Sequence, residues 1–157
     1  MSFIANPQYF PVVGINAYPA QFPFRLLGAG GTSPPTFLEG DTLAANIGNF
    51  WAISRISAGR YDLTSLQPHN GVIQYQCQAG LAAVDLTDTT TVQWTALPVQ
   101  LTTATVITTG SVTVTAPVNA WQFELTFINA GTATDPATTQ EITGLIIFRE
   151  MALSTSV

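Results

Sequence analysis

Trp121-Gln122-Phe123-Glu124-Leu125-Thr126-Phe127 carries an apolar side chain at every second position and a polar one between each pair. Period-two alternation marks a strand with one face in a core and one in water. Trp121, Phe123, Leu125 and Phe127 are therefore expected to share the buried face. Val72-Ile73-Gln74-Tyr75-Gln76-Cys77-Gln78 alternates in the same way, with Ile73, Tyr75 and Cys77 on one side and three glutamines on the other. These two apolar faces are expected to be opposite walls of one core.

Working outward, strands are expected over Trp51–Ser57, Arg60–Leu66, Gly71–Ala79, Val92–Leu101, Thr105–Thr109, Ser111–Ala116, Trp121–Asn129 and Glu141–Met151. No window of a dozen residues shows apolar positions at helical spacing. Turn chemistry separates the strands: Ser57-Ala58-Gly59, Gln67-Pro68-His69-Asn70-Gly71, Thr109-Gly110, Ala116-Pro117-Val118-Asn119 and Asn129-Ala130-Gly131 supply positive φ or fix it near −65°. Short strands at this spacing predict an all-β, antiparallel, jelly-roll-like sandwich. The threonines of Thr87-Asp88-Thr89-Thr90-Thr91 and Thr102-Thr103-Ala104-Thr105, β-branched yet polar, suit a neutral solvent-facing sheet.

Residues 1–50 differ from residues 51–157, the expected sandwich core. Pro7, Pro11, Pro19, Pro23, Pro34 and Pro35 gather there with Gly28-Ala29-Gly30-Gly31 and many aromatics. Prolines at this density are expected outside central strands, whereas the aromatics ask for burial. The segment reads as an irregular arm of the same single domain, with edge strands near Val12–Ala17, Phe24–Leu27 and Thr36–Leu38. Part of the arm is expected to pack on a neighbouring subunit. Phe3, Tyr9, Phe10, Tyr18, Phe22 and Phe24, together with Trp94, are the interface candidates.

Charge is scarce. Asp, Glu, Lys and Arg make up 8% of the 157 residues, against roughly 25% in ordinary soluble domains. There is no lysine, and the only cations are Arg25, Arg55, Arg60 and Arg149. The surface is therefore expected to be covered by Thr, Ser, Gln and Asn, by other subunits, or by both. A net charge of −5 with no basic run argues against nucleic acid as a partner. The apolar runs are far shorter than the roughly 18–20 residues of a spanning helix, so no membrane partner is expected. The first residues lack a basic and apolar leader, which points to synthesis and release in a cytosol.

The residues that could carry chemistry do not converge. His69, the sole histidine, reads as a solvated turn residue, because acid–base work needs a positioned partner. Of the nine carboxylates only Glu39/Asp41 and Asp85/Asp88 are close in sequence, and the latter lack the acidic spacing of a calcium loop. No lysine follows Gly28-Ala29-Gly30-Gly31 and Pro34-Pro35 stand where a helix would start, so this is expected to be a flexible turn, not a phosphate cradle. Cys77 reads as a small buried hydrophobe. The arginines read as ion-pair partners of Asp62, Glu150 and similar residues. No catalytic residue, metal site or cofactor is expected, and the chain reads as a binding or structural protein, with a small hydrolase disfavoured.

Ile53-Ser54-Arg55-Ile56-Ser57-Ala58-Gly59-Arg60-Tyr61-Asp62-Leu63-Thr64 resembles a hairpin common in small virion proteins of tailed bacteriophages. So does Phe127-Ile128-Asn129-Ala130-Gly131-Thr132-Ala133-Thr134-Asp135-Pro136-Ala137, which leads into Gly144-Leu145-Ile146-Ile147-Phe148-Arg149-Glu150. The resemblance covers about half the chain and leaves the first fifty residues unmatched. It implies a β-sandwich that decorates or cements the capsid exterior, usually as a homotrimer, with the major capsid protein or other virion subunits as partners. A fibre-tip or glycan-binding jelly-roll module is the alternative, resting on Trp94 beside Gln93 and Asp88.

Overall fold

The structure, a computed structural model, describes residues 17–37, 50–80, 90–109, 112–138 and 140–151. These residues form strands β1 (Ala17–Leu27), β2 (Thr36–Phe37), β3 (Trp51–Ser57), β4 (Arg60–Ser65), β5 (Gly71–Gly80) and β6 (Thr91–Trp94). They continue through β7 (Val99–Gln100), β8 (Thr105–Thr109), β9 (Val112–Ala116), β10 (Trp121–Asn129), β11 (Thr132–Ala133) and β12 (Glu141–Met151), with no helix among them. The fold is all-β. One sheet runs β2-β1-β12-β5; the other runs β11-β10-β4-β3, with β6 and β7 also paired to β10. Every pairing is antiparallel, consistent with a β-sandwich.

Alternation places the core. From the first sheet come Phe22, Phe24, Leu26, Ile142, Ile146 and Phe148; from the second come Trp51, Ile53, Tyr61, Leu63, Val92, Phe123, Leu125 and Phe127. Aromatic rings interlock the layers. Phe123 meets Trp51, Tyr75, Trp94 and Phe148 with ring centroids 5.6–6.0 Å apart. Such offset and edge contacts favour aromatic pairs beyond simple area burial. The walls expected from β5 and β10 do face each other through Tyr75 and Phe123, and half-buried Trp121 packs at the rim of the same cluster. A smaller cluster lies on the opposite face of β3, where Ala52 meets Ile107, Ala116 and Ala120 under the β8–β9 hairpin. The Thr109 hydroxyl donates to the Ile53 carbonyl at 2.6 Å and fastens that hairpin to β3.

Four expectations change. Phe24–Leu27 is the end of a strand of eleven residues, and β1 pairs with β12 along its whole length, Pro19 and Pro23 included. The two prolines share one parity, so their missing N–H donors face the same side of the strand. Among the described residues β2 meets that strand only at Leu26 and Leu27, which leaves an unpaired edge where proline is tolerated. Ile73 does not join Tyr75 on the inner face. A register shift pairs Phe148 with Val72 and Ile147 with Gln74; Val72 packs against the core and Ile73 is left exposed. Val92–Leu101 is two strands, broken at Thr95–Pro98. The Val12–Asn16, Leu38 and Ser111 portions of expected strands lie outside the described residues.

Gly144, on the inner side of β12, leaves the space that the Phe24 ring fills. A Cβ there would collide with that ring and stand 2.8 Å from the Gln76 carbonyl. Gly144→Ala is therefore expected to lower stability by about 1–3 kcal/mol, as overpacking does, read from the urea midpoint.

Candidate functional site

A polar cluster gathers at the β3–β4 turn. The turn Ser57-Ala58-Gly59 joins β3 to β4, and Gly59 adopts φ +69°, where an added Cβ would strike the backbone of Phe127, Ala133 and Thr134. Glycine is required for that turn to lie under the segment that follows β11. Asp135, in that segment, accepts hydrogen bonds from Arg55 Nε at 3.0 Å and Arg55 Nη2 at 2.8 Å. It also accepts from the Gly59 N–H at 2.8 Å and the Tyr61 hydroxyl at 2.6 Å. The Tyr61 ring is fully buried and meets Phe127 edge-on at 5.6 Å.

The electrostatics follow from those contacts. The Arg55 hydrogen bonds hold the Asp135 carboxyl well below the usual range; burial opposes them, and the phenol and the Gly59 N–H add to them. Burial, then the hydrogen bond to Asp135, pushes the Tyr61 phenol above its ordinary value. A phenol held protonated and a carboxylate held ionised are a clasp, not an acid–base couple.

A second cluster lies on the outer face of β4 and β10. Arg60 donates to Glu124 Oε1 from Nε at 3.0 Å and Nη2 at 2.7 Å, and Thr95 Oγ1 donates to the same oxygen at 2.7 Å. Burial raises Glu124, but the Thr95 and Arg60 hydrogen bonds outweigh it and leave the pKa below the ordinary value. Asp62 stands directly across the ladder from Glu124 and accepts from Gln122 Nε2 at 2.7 Å. Burial first, and the neighbouring Glu124 charge second, push its carboxyl up to about 6, with Arg60 opposing. Asp62 was expected to pair with an arginine. Among the described residues the pairs formed are instead Arg25–Glu141, Arg55–Asp135 and Arg60–Glu124; the Glu150 side chain, the other expected partner, lies outside them.

His69 is not a solvated turn residue. It is 7% exposed, and its ring lies on that of Phe148 at 3.8 Å and 7°. Its carbonyl accepts from Trp121 Nε1 at 2.9 Å and Gln100 Nε2 at 3.1 Å, so the turn is tucked into the core end rather than raised into water.

The other candidates are dispersed. Phe22 and Phe24 are buried in the chain's own core. Trp94 is half-buried against Phe24, Tyr75 and Phe123, so its ring is not presented as a sugar platform. Tyr18 lies in β1, while Phe3, Tyr9, Phe10, Glu39, Asp41, Asp85 and Asp88 lie outside the described residues. Gly28 is not free to flex: its N–H donates to the Gln140 carbonyl at 2.8 Å and its Cα faces Ala137. Burial pushes the Cys77 thiol up to about 12, which suits an inert side chain. Among the described residues no three His, Cys, Asp or Glu side chains group as metal ligands.

What the fold does present is an uncharged strip on one sheet face, bounded by the Arg25–Glu141 pair at one end and by Arg149 at the other. On the outer side of the first sheet, opposite the buried Phe22, Phe24, Ile146 and Phe148, stand Gln74, Gln76 and Gln78 of β5 beside Thr143, Leu145 and Ile147 of β12. A hollow of about 230 Å³ runs between these strands. Arg25, Arg55, Arg60 and Arg149 balance Asp62, Glu124, Asp135 and Glu141, so the described side chains carry no net charge. The −5 belongs to Glu39, Asp41, Asp85, Asp88 and Glu150. Leu97 and Val118 on loops, Val99 on β7 and Val106 on the β8–β9 hairpin add exposed apolar area.

The sequence reading left Asp135 among the unclustered carboxylates. The signal that could have found it is the resemblance itself: Arg55, Gly59 and Tyr61 lie in its first segment and Asp135 in its second, and the four hydrogen bonds join the two. No family model matches the chain, and no curated protein or solved structure is significantly similar to it.

Two pH effects of opposite sign follow. Asp135 has a depressed folded-state pKa, so its stabilisation is full above the ordinary aspartate value near 4 and is lost as pH falls below it. Asp135→Asn should cost about 2–3 kcal/mol at neutral pH and flatten the acid limb of a plot of Tm against pH. Asp62 has a raised folded-state pKa, so its ionisation destabilises the fold as pH rises from about 4 through about 6. Asp62→Asn should stabilise the protein by about 1 kcal/mol at pH 8 and leave it unchanged near pH 4, measured by urea unfolding.

Proposed function

We propose that this chain is a structural subunit of a larger particle: a capsid decoration or cement protein of a tailed-bacteriophage virion, acting as a homotrimer on the capsid exterior against the major capsid protein. The observation that carries the reading is the uncharged strip on the outer face of the first sheet, where Gln74, Gln76, Gln78, Thr143, Leu145 and Ile147 lie between the Arg25–Glu141 pair and Arg149. Amide, hydroxyl and aliphatic groups can be covered by a partner without the desolvation cost of ionised groups. A subunit of this kind acts through repeated contact area and symmetry. Because it binds only the assembled state, it stabilises that state by linkage. The two segments that resemble phage virion proteins are joined by the Asp135 clasp, so the resemblance falls on one structural unit of the fold.

Capsids carrying the protein should resist heating and osmotic shock better than the same capsids lacking it, and adding it back should restore the difference. Equal resistance in all three preparations would overturn the proposal.

A further inference from the structure

The three described asparagines with described neighbours, Asn70, Asn119 and Asn129, stand in different settings, and only Asn70 is followed by glycine. We propose that Asn70–Gly71 is a site of spontaneous modification in the folded protein, where Asn70 deamidates to aspartate and isoaspartate with its own backbone as nucleophile. The Asn70 side chain is exposed at the bend that leads into β5, and among the described residues no hydrogen bond holds its amide. Gly71 has no Cβ to crowd its nitrogen, and a Cβ built there would meet nothing within 4 Å. Gly71 with Arg149 is the last pair of the β5–β12 ladder, where local opening costs least.

The other two settings block the same step. Asn119 is followed by buried Ala120, whose N–H is already donated to the Pro117 carbonyl at 3.2 Å. Asn129 is held in the β10–β11 hairpin opposite Thr132 and is followed by Ala130 at φ +49°.

The chemistry balances with water alone. The Gly71 nitrogen loses its proton and bonds to Asn70 Cγ, the Cγ–Nδ2 bond breaks, and ammonia leaves, closing a five-membered succinimide. Water then opens the ring. Attack at Cγ breaks its bond to the Gly71 nitrogen and gives aspartate. Attack at the main-chain carbonyl carbon of residue 70 breaks that carbon's bond to the same nitrogen and gives isoaspartate, with the former main-chain carbonyl left as the free carboxylate. Each event adds one negative charge to the formal −5. The isoaspartate product also lengthens the main chain between His69 and β5, at the point where the imidazole lies on Phe148.

The full chain is incubated, folded, at mildly alkaline pH and followed by ion exchange and peptide mass spectrometry. The expected result is a growing acidic species one mass unit heavier, mapped to the peptide that holds Asn70 and split between aspartate and isoaspartate. Gly71→Ala tests the backbone nucleophile without loss of the fold, because the φ of Gly71 is outside the left-handed region and its Cβ would meet open space. That variant should unfold at the wild-type temperature and accumulate the acidic species several-fold more slowly. A folded protein that gains no acidic species while the urea-unfolded chain does, or a Gly71→Ala variant that deamidates as fast as wild type, would overturn the proposal.

Discussion

One carboxylate organises an end of this molecule. Asp135 accepts four hydrogen bonds from three residues that lie 74–80 positions earlier in the chain. Through them it fixes the β3–β4 turn, the buried Tyr61 phenol and the path from β11 toward β12. Charge-assisted hydrogen bonds of this kind are about twice as strong as neutral ones, and a bidentate arginine adds direction. In a chain with only four arginines, committing one to an internal clasp has a consequence outside: less charge remains for the surface.

The same economy holds elsewhere. Arg60 ties β4 to β10 through Glu124, and Arg25 ties β1 to β12 through Glu141. Charge that in most soluble domains keeps molecules apart is used here to join strands, although the exposed pairs contribute little energy each. Between these paired charges, the exposed strip along β5 and β12 is left to glutamine, threonine and aliphatic side chains. Such a surface needs little dehydration to be covered, and it suits a subunit whose working state is an assembly.

The strands were legible because their burial is largely one-sided: Phe123, Leu125 and Phe127 alternate with Glu124 and Thr126, and all three apolar residues are buried, although Thr126 is buried too, on the other face, where its hydroxyl meets that of Thr95. The bulge at Ile73 was not, since Val72 and Ile73 are both apolar and only the partner strand's register chooses between them. Pro19 and Pro23 misled for a related reason, because proline excludes a strand from pairing on one side and not on both. His69 and Asp135 carry no local signature. The histidine is buried by Phe148, from the far end of the chain, and Asp135 finds its partners across the sandwich end. Long-range partners of single polar residues are invisible to periodicity, which registers only the burial of one element's own face.

The central claim is that this protein associates through uncharged surface. The most direct test is the mass of the full chain by sedimentation at micromolar concentration, from about 0.05 to about 1 M sodium chloride, a range that shortens electrostatic reach from roughly 14 Å to about 3 Å. A homotrimer whose mass holds or rises across the range is predicted. A monomer at every salt concentration, or an assembly that dissociates as salt increases, would contradict the account.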